Sequence, residues 1–175
     1  MKLGLKRGEV KVQTYNDQWV GEFQKVKQEI LQVTSIPESH IEHIGSTSIK
    51  DMVAKPIIDI VVGVNDITKV DQDVFHELKK AGFLRLKVKR PNEIVLAKFT
   101  DDTYEVKTHF IHMVDYNKDL WKNFIFFRDF LNTNEAVRKQ YEKLKIEFLE
   151  QESGGIKEYT DYKEQFVRDI YAKRV

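Results

Sequence analysis

The stretch Ile57-Ile58-Asp59-Ile60-Val61-Val62 constrains this chain more than any other. Five of its six residues are β-branched, and an apolar run without polar alternation fits a central strand covered on both faces. The rest of the chain must therefore supply a layer on either side of a sheet. A carboxylate inside such a strand is out of place. Unpaired and ionised it would shift its pKa or find a cation, so Asp59 needs a partner, with Lys55 or a metal ion the candidates.

The flanking sequence supplies those layers. Val10 to Tyr15 alternates weakly and reads as an edge strand, and Asn16 or Asp17 offers a helix N-cap. Trp19, Phe23, Val26, Ile30 and Val33 recur at helical spacing and form one core face; Pro37 stops the pattern. Ile41 to Ile44 is a short strand leading into the turn Gly45-Ser46-Thr47-Ser48. After the Asp59 strand, Ile67, Val70, Val74 and Leu78 mark a helix over 66–81 that ends at Gly82 and reads as a crossover.

From Phe83 to Val114 the period falls to two, with Leu84, Leu86 and Val88 opposite Arg85, Lys87 and Lys89, and with turns at Pro91-Asn92 and Asp101-Asp102. An antiparallel meander is expected, its basic side a solvated face. Residues 116–175 are helical, with stripes on Leu120, Phe124, Phe127 and Leu131, on Val137, Tyr141, Leu144 and Phe148, and on Phe166, Val167, Ile170 and Tyr171. Ser153-Gly154-Gly155 separates the last two helices. The apolar residues of Trp121 to Leu131 are too many for one stripe, so burial on two sides is expected, with a homodimer interface as the sharper alternative.

The 175 residues suit one domain, and 29 basic against 28 acidic side chains remove any bulk drive toward nucleic acid or acidic lipid. An anion site must then be local. With no Cys, thiol catalysis and Cys-ligated zinc are excluded, and metal chemistry must use His and carboxylates. No apolar run approaches the roughly 20 residues that span a bilayer, nor does the N-terminus read as a signal peptide, so a cytoplasmic protein is expected.

Chemistry concentrates at His43-Ile44-Gly45-Ser46-Thr47-Ser48 and at Asp59, thirteen residues after Ser46. Glycine permits close backbone approach, and hydroxyls beside free N–H groups hold phosphate. Two-metal phosphoryl chemistry also wants a second acid two residues from the first, on the same strand face, to hold cations roughly 4 Å apart. Here that position is Val61. The plain alternative is an ordinary turn and a hydrogen-bonded structural carboxylate. His43, His109 and His112 could converge, although His109 and His112 face opposite sides of a regular strand. The pairs Tyr141 with Lys145 and Tyr159 with Lys163, each four apart, read as packing plus solvated charge.

Several segments, in order, resemble the GrpB proteins of the nucleotidyltransferase superfamily. They are Tyr15-Asn16-Asp17-Gln18-Trp19, Ile41 to Ser48, Ala54-Lys55-Pro56-Ile57-Ile58-Asp59-Ile60, Thr108-His109-Phe110-Ile111-His112, Phe127-Arg128-Asp129-Phe130-Leu131, Tyr141-x-x-Leu144-Lys145 and Tyr159-Thr160-x-x-Lys163. The resemblance implies an α+β fold over 1–175: a nucleotidyltransferase-like mixed β-sheet with flanking helices, and a helical C-terminal segment, 116–175, packed on it. It further implies that Gly45, Ser46, Thr47 and Lys55 hold nucleotide phosphate, that Asp59 and His112 are catalytic, and that Asp59, His112 and His109 bind Mg²⁺ or Mn²⁺. The chain departs from the family where Ile49-Lys50-Asp51-Met52-Val53 replaces Val-Pro-Gly-Leu-Ala and where Phe110 replaces a further His.

Two functions follow as expectations. The first is a metal-dependent nucleotidyltransferase or phosphotransferase acting on a small molecule or protein, with Glu42 or Glu105 replacing the missing acid. The second is a non-catalytic nucleotide-binding or interaction module with a degraded metal site, for which Val61 speaks. A transition-metal hydrolase built on His43, His109, His112 and Asp59 is a third arrangement, without compact ligand spacing to support it. The expected partner is a nucleotide or phosphorylated small molecule; neither nucleic acid nor membrane is expected.

Overall fold

The computed structural model describes residues 1–150 and 156–175, with 156–160 described by backbone alone. The Ser153-Gly154-Gly155 break and the Tyr159 side chain lie outside the described residues. The frame is a six-stranded sheet built from β1 (Leu5–Lys6), β2 (Ile41–Ile44), β3 (Ile58–Val64), β4 (Phe83–Arg85), β5 (Ile94–Phe99) and β6 (Val106–Asp115). Its order is β2-β3-β6-β5-β4, with β1 added on β6. Every pairing is antiparallel except β3 with β6, which run parallel with Asp59 opposite Phe110 and Val61 opposite His112.

Register divides the strands into two faces. Ile58, Ile60 and Val62 share one with Ile111 and Met113, and α1 (Gln18–Val33) covers it with Trp19, Phe23, Val26 and Ile30. The helix α2 (Gln72–Lys80) adds Leu78 to the same core. On the opposite face Ile44, Val61 and Val114 pack against Trp121 of α3 (Asp119–Thr133). A further core forms where α3, α4 (Glu135–Glu150) and α5 (Ile156–Tyr171) bring Phe127, Leu131, Tyr141 and Ile170 onto Ile49 and Met52, beyond the end of β2. Burial on both faces of β3, and the double-sided burial of α3, follow the sequence pattern. Among the described residues no helix is long and apolar enough to cross a membrane.

Two local expectations need correction, and the helix cap is resolved between its two candidates. Residues 10–15 form no edge strand: a single bridge joins Gln13 to Ala54, and the N-terminal strand is β1, two residues paired with the start of β6. Asp17 holds the N-cap position of α1 without a side-chain bond, and the Asn16 side-chain oxygen before it accepts from the Gln18 N–H at 2.9 Å. Finally, α2 does not lead directly to a strand parallel to β3. It delivers the chain to β4 at the far edge, and the antiparallel run β4-β5-β6 then returns β6 to the side of β3. The parallel pair is thus closed by a whole subassembly, which places residues 59 and 112 on adjacent strands.

Candidate functional site

Gly45 turns the chain at the end of β2 with φ at +70°, into one 3-10 turn over Ser46–Ser48. A Cβ there would stand 2.5 Å from Oδ2 of Asp59, so only glycine lets the backbone lie against that carboxylate. Asp59 keeps 31% of its side chain exposed, enough for a ligand to reach it.

The parallel register puts Asp59 and His112 on one sheet face, and the ring lies between two acids. Its Nε2 is 3.2 Å from Asp59 Oδ1, and its Nδ1 makes a short contact with Glu93 Oε1. Glu93 stands just before β5, whose Val95 pairs with His112, and is approached by Arg90 at 3.6 Å. An ionised carboxylate can only accept, so both ring nitrogens must donate and the ring is an imidazolium. Burial works against that charge, but the bonds to Asp59 and Glu93 outweigh it and raise the pKa to about 9. Burial would likewise raise both acids, yet the bond to His112 holds each below the ordinary carboxylate range.

Above the Gly45 turn the charge is positive. Lys145 of α4 is 1% exposed, with Nζ donating to Ser46 Oγ at 2.7 Å and to the Val53 carbonyl at 2.9 Å, and lying 4.3 Å from the Tyr141 ring centroid. Burial and the charge of Lys163 push its pKa well below the lysine range. Lys55 is lowered to about 8 by burial and by the same Lys163, with Asp59 acting the other way. Lys163 of α5 thus acts on both Lys55 and Lys145, with Asp59 opposing it at both and Glu142 of α4 opposing it at Lys145. The buried Tyr141 hydroxyl on the same helix lies toward Ser46 and has no other hydrogen-bond partner among the described residues.

Gly45, Ser46, Asp59 and His112 are thus brought together, with Lys55 in electrostatic reach of Asp59. The other expected residues lie elsewhere. The Thr47 hydroxyl is buried, bonded to His43 Nε2 at 2.9 Å and to the Ile57 carbonyl. His43 stacks on Phe23, and His109 sits beside Thr108 and Phe83 on the α1 face of the sheet, across from Asp59. Burial lowers both to about 4, leaving them neutral. Glu42 is held by Arg128 at 2.7 Å, and Glu105 is exposed in the loop before β6. Two participants escape a reading of the residues alone: Glu93, which precedes its strand in a turn-forming segment, and Lys145, which is buried where solvated charge is expected.

The residues present do not fit a divalent cation. The single acid of β3 is already bonded to His112, both nitrogens of His112 are committed, Val61 is fully buried, and Glu93 lies on the far side of the ring. Among the described residues no cluster of three or more His, Cys, Asp or Glu is arranged to hold a metal ion.

Comparison with known proteins agrees with the order of the motifs. The chain is 40% identical over 169 residues to the glutamate-rich protein GrpB of Alkalihalophilus pseudofirmus, covering 96% of this chain and 97% of that one. The crystal structure of the conserved protein GrpB from Enterococcus faecalis is similar at a TM-score of 0.76 and 26% identity, covering 93% of this chain and 98% of that chain. A cytoplasmic RNA terminal U-transferase is similar only at a TM-score of 0.48 and 13% identity, covering 75% of this chain and 42% of that chain, which adds nothing to the reading of the fold. The GrpB protein family matches residues 9–173, and the chain belongs to that family.

Proposed function

We propose that the turn at Gly45 and Ser46, beside Asp59, binds the phosphate groups of a nucleotide or phosphorylated small molecule. The observation that carries this is the Ser46 hydroxyl, which accepts from the buried Lys145 at 2.7 Å in the turn whose Gly45 lies against the partly exposed Asp59. A lysine buried at such a cost in desolvation is relieved by a bound anion. Because Ser46 Oγ accepts from Lys145, its own proton is directed elsewhere and can be donated to a phosphate oxygen. The near-neutral total charge favours a small ligand over a polynucleotide.

Titration calorimetry with inorganic triphosphate and with nucleoside triphosphates tests this. Binding should weaken by at least about tenfold in Lys145→Met, since a hydrogen bond to a charged group contributes about 1.5–3 kcal/mol. Absence of binding to any of these anions sinks the reading.

Transfer of a nucleotidyl or phosphoryl group is the second reading, favoured by the exposed edge of Asp59 beside the phosphate cradle. Turnover of a labelled nucleoside triphosphate that is lost in Asp59→Asn would support it. An unchanged nucleotide after prolonged incubation with the protein leaves a binding module.

A further inference from the structure

We infer that the phosphate ligand of this site is a nucleotide whose base stacks on the ring of Phe110, two strands across from the Gly45 turn on the same face of the sheet. The inference rests on the phosphate reading above and deepens it, from any phosphorylated small molecule to one that carries an aromatic base.

Register sets Ile44, Asp59, Phe110 and Ala97 side by side on β2, β3, β6 and β5. They lie on the face that α3 covers at Val61 and Val114 and leaves partly open at Asp59. Neighbouring strands are roughly 4.8 Å apart, so Phe110 stands about 10 Å across the sheet from the end of β2. A ribose and its phosphates can bridge from a base there to Ser46. The ring itself is apolar surface with no core to join. Phe110 is half-buried, and among the described residues it belongs to none of the three apolar clusters, although its strand neighbours Ile111 and Met113 lie in one of them. Over the ring lies instead the Lys107 ammonium, 5.7 Å from the centroid. Regular alternation would put Lys107 on the face of His109. The register shifts here, with Lys98 paired to His109 and Phe99 to Lys107, and the irregularity aims the lysine at Phe110 instead. A lysine on its flexible stem yields the ring to a base and keeps its charge beside the ribose and phosphates that arrive with it.

The experiment is calorimetric titration of the intact protein with inorganic triphosphate and with each ribonucleoside triphosphate in one buffer. The tightest nucleotide should bind at least about fivefold more tightly than inorganic triphosphate, the gain expected of one base stacked on an aromatic ring. Phe110→Ala should remove that gain and leave the binding of inorganic triphosphate within about twofold of the parent. Phe110→Trp should keep the gain, and its added indole fluorescence should be quenched by the nucleotide but not by inorganic triphosphate. Equal binding of nucleotide and inorganic triphosphate by the parent overturns the inference while sparing the phosphate reading. A folded Phe110→Ala protein that keeps the preference, or that loses both ligands alike, overturns it too. Absence of binding by every one of these anions overturns both. Circular dichroism checks folding; should Phe110→Ala not fold, the parent preference and the Phe110→Trp quenching decide, and the lack of either overturns the inference.

Discussion

Gly45 and Asp59 define each other. With φ at +70° and a would-be Cβ 2.5 Å from the carboxylate, Gly45→Ala strains the backbone and pushes Asp59 from His112. The expected cost is about 2–4 kcal/mol, read from urea denaturation, with loss of triphosphate binding. Lys145 should behave in the opposite sense. Its ammonium is buried at 1% exposure, so Lys145→Met removes a desolvation penalty and should raise stability by about 1 kcal/mol even as it weakens anion binding. A variant both less stable and fully competent to bind would contradict the role given to this lysine. Asp59 was legible in the sequence because a charge interrupts a β-branched run. Glu93 was not, since an acid in a Pro-Asn-Glu turn looks like surface, and Lys145 sits among enough charges on α4 to pass for one of them.

At the scale of elements, the helical segment grips the loop after β2. Asn132 of α3 brackets it, its Oδ1 accepting from the Lys50 N–H at 2.9 Å and its Nδ2 donating to the Ser48 carbonyl at 3.2 Å. Glu142 of α4 accepts from the Val53 N–H at 3.4 Å. Ser46 is thus positioned by helices far away in sequence. Asn132→Ala should cost about 1–2 kcal/mol, speed hydrogen exchange at the Lys50 amide, and weaken anion binding by loosening Ser46. An unchanged exchange rate would show that the bracket is not what holds the loop. The antiparallel order of the meander and most helices were readable from periodicity, but the helix expected over 66–81 is a separate 3-10 turn over Ile67–Lys69 followed by α2, and the alternation from Leu84 to Lys89 forms a strand only over Phe83–Arg85. The strand that α2 leads to was not readable, because pairing between remote segments leaves no local mark, and β1, a strand of two residues, is too short to show a period.

For the whole molecule, three histidines set the dependence of stability on pH. His43 and His109 titrate at about 4 in the folded chain against about 6.5 when unfolded, so the unfolded state binds more protons in between and stability falls as pH drops from 6.5 to 4. Each contributes up to about 3 kcal/mol by this linkage. The melting temperature should fall steeply over that window, with uptake of about two protons on urea unfolding. His112 has the opposite sign: raised to about 9, it contributes fully below 6.5 and its contribution is lost as pH rises to 9. Lys145 and Lys55, both lowered, add stability as pH rises toward the ordinary lysine range, and so oppose His112. Lys145→Met should therefore lose melting temperature more steeply above pH 6.5 than the parent; parallel curves would place the Lys145 titration outside this range.

The parallel pairing of β3 with β6 also has a kinetic consequence. Ile58 meets His109 only after the intervening helix and hairpin have been laid down, a loop closure of about fifty residues whose entropy must be met before the contact is rewarded. An early collapsed chain has its hairpins and helices but no acid facing an imidazole. Ligand therefore cannot template the first collapse, and should retard unfolding far more than it accelerates refolding.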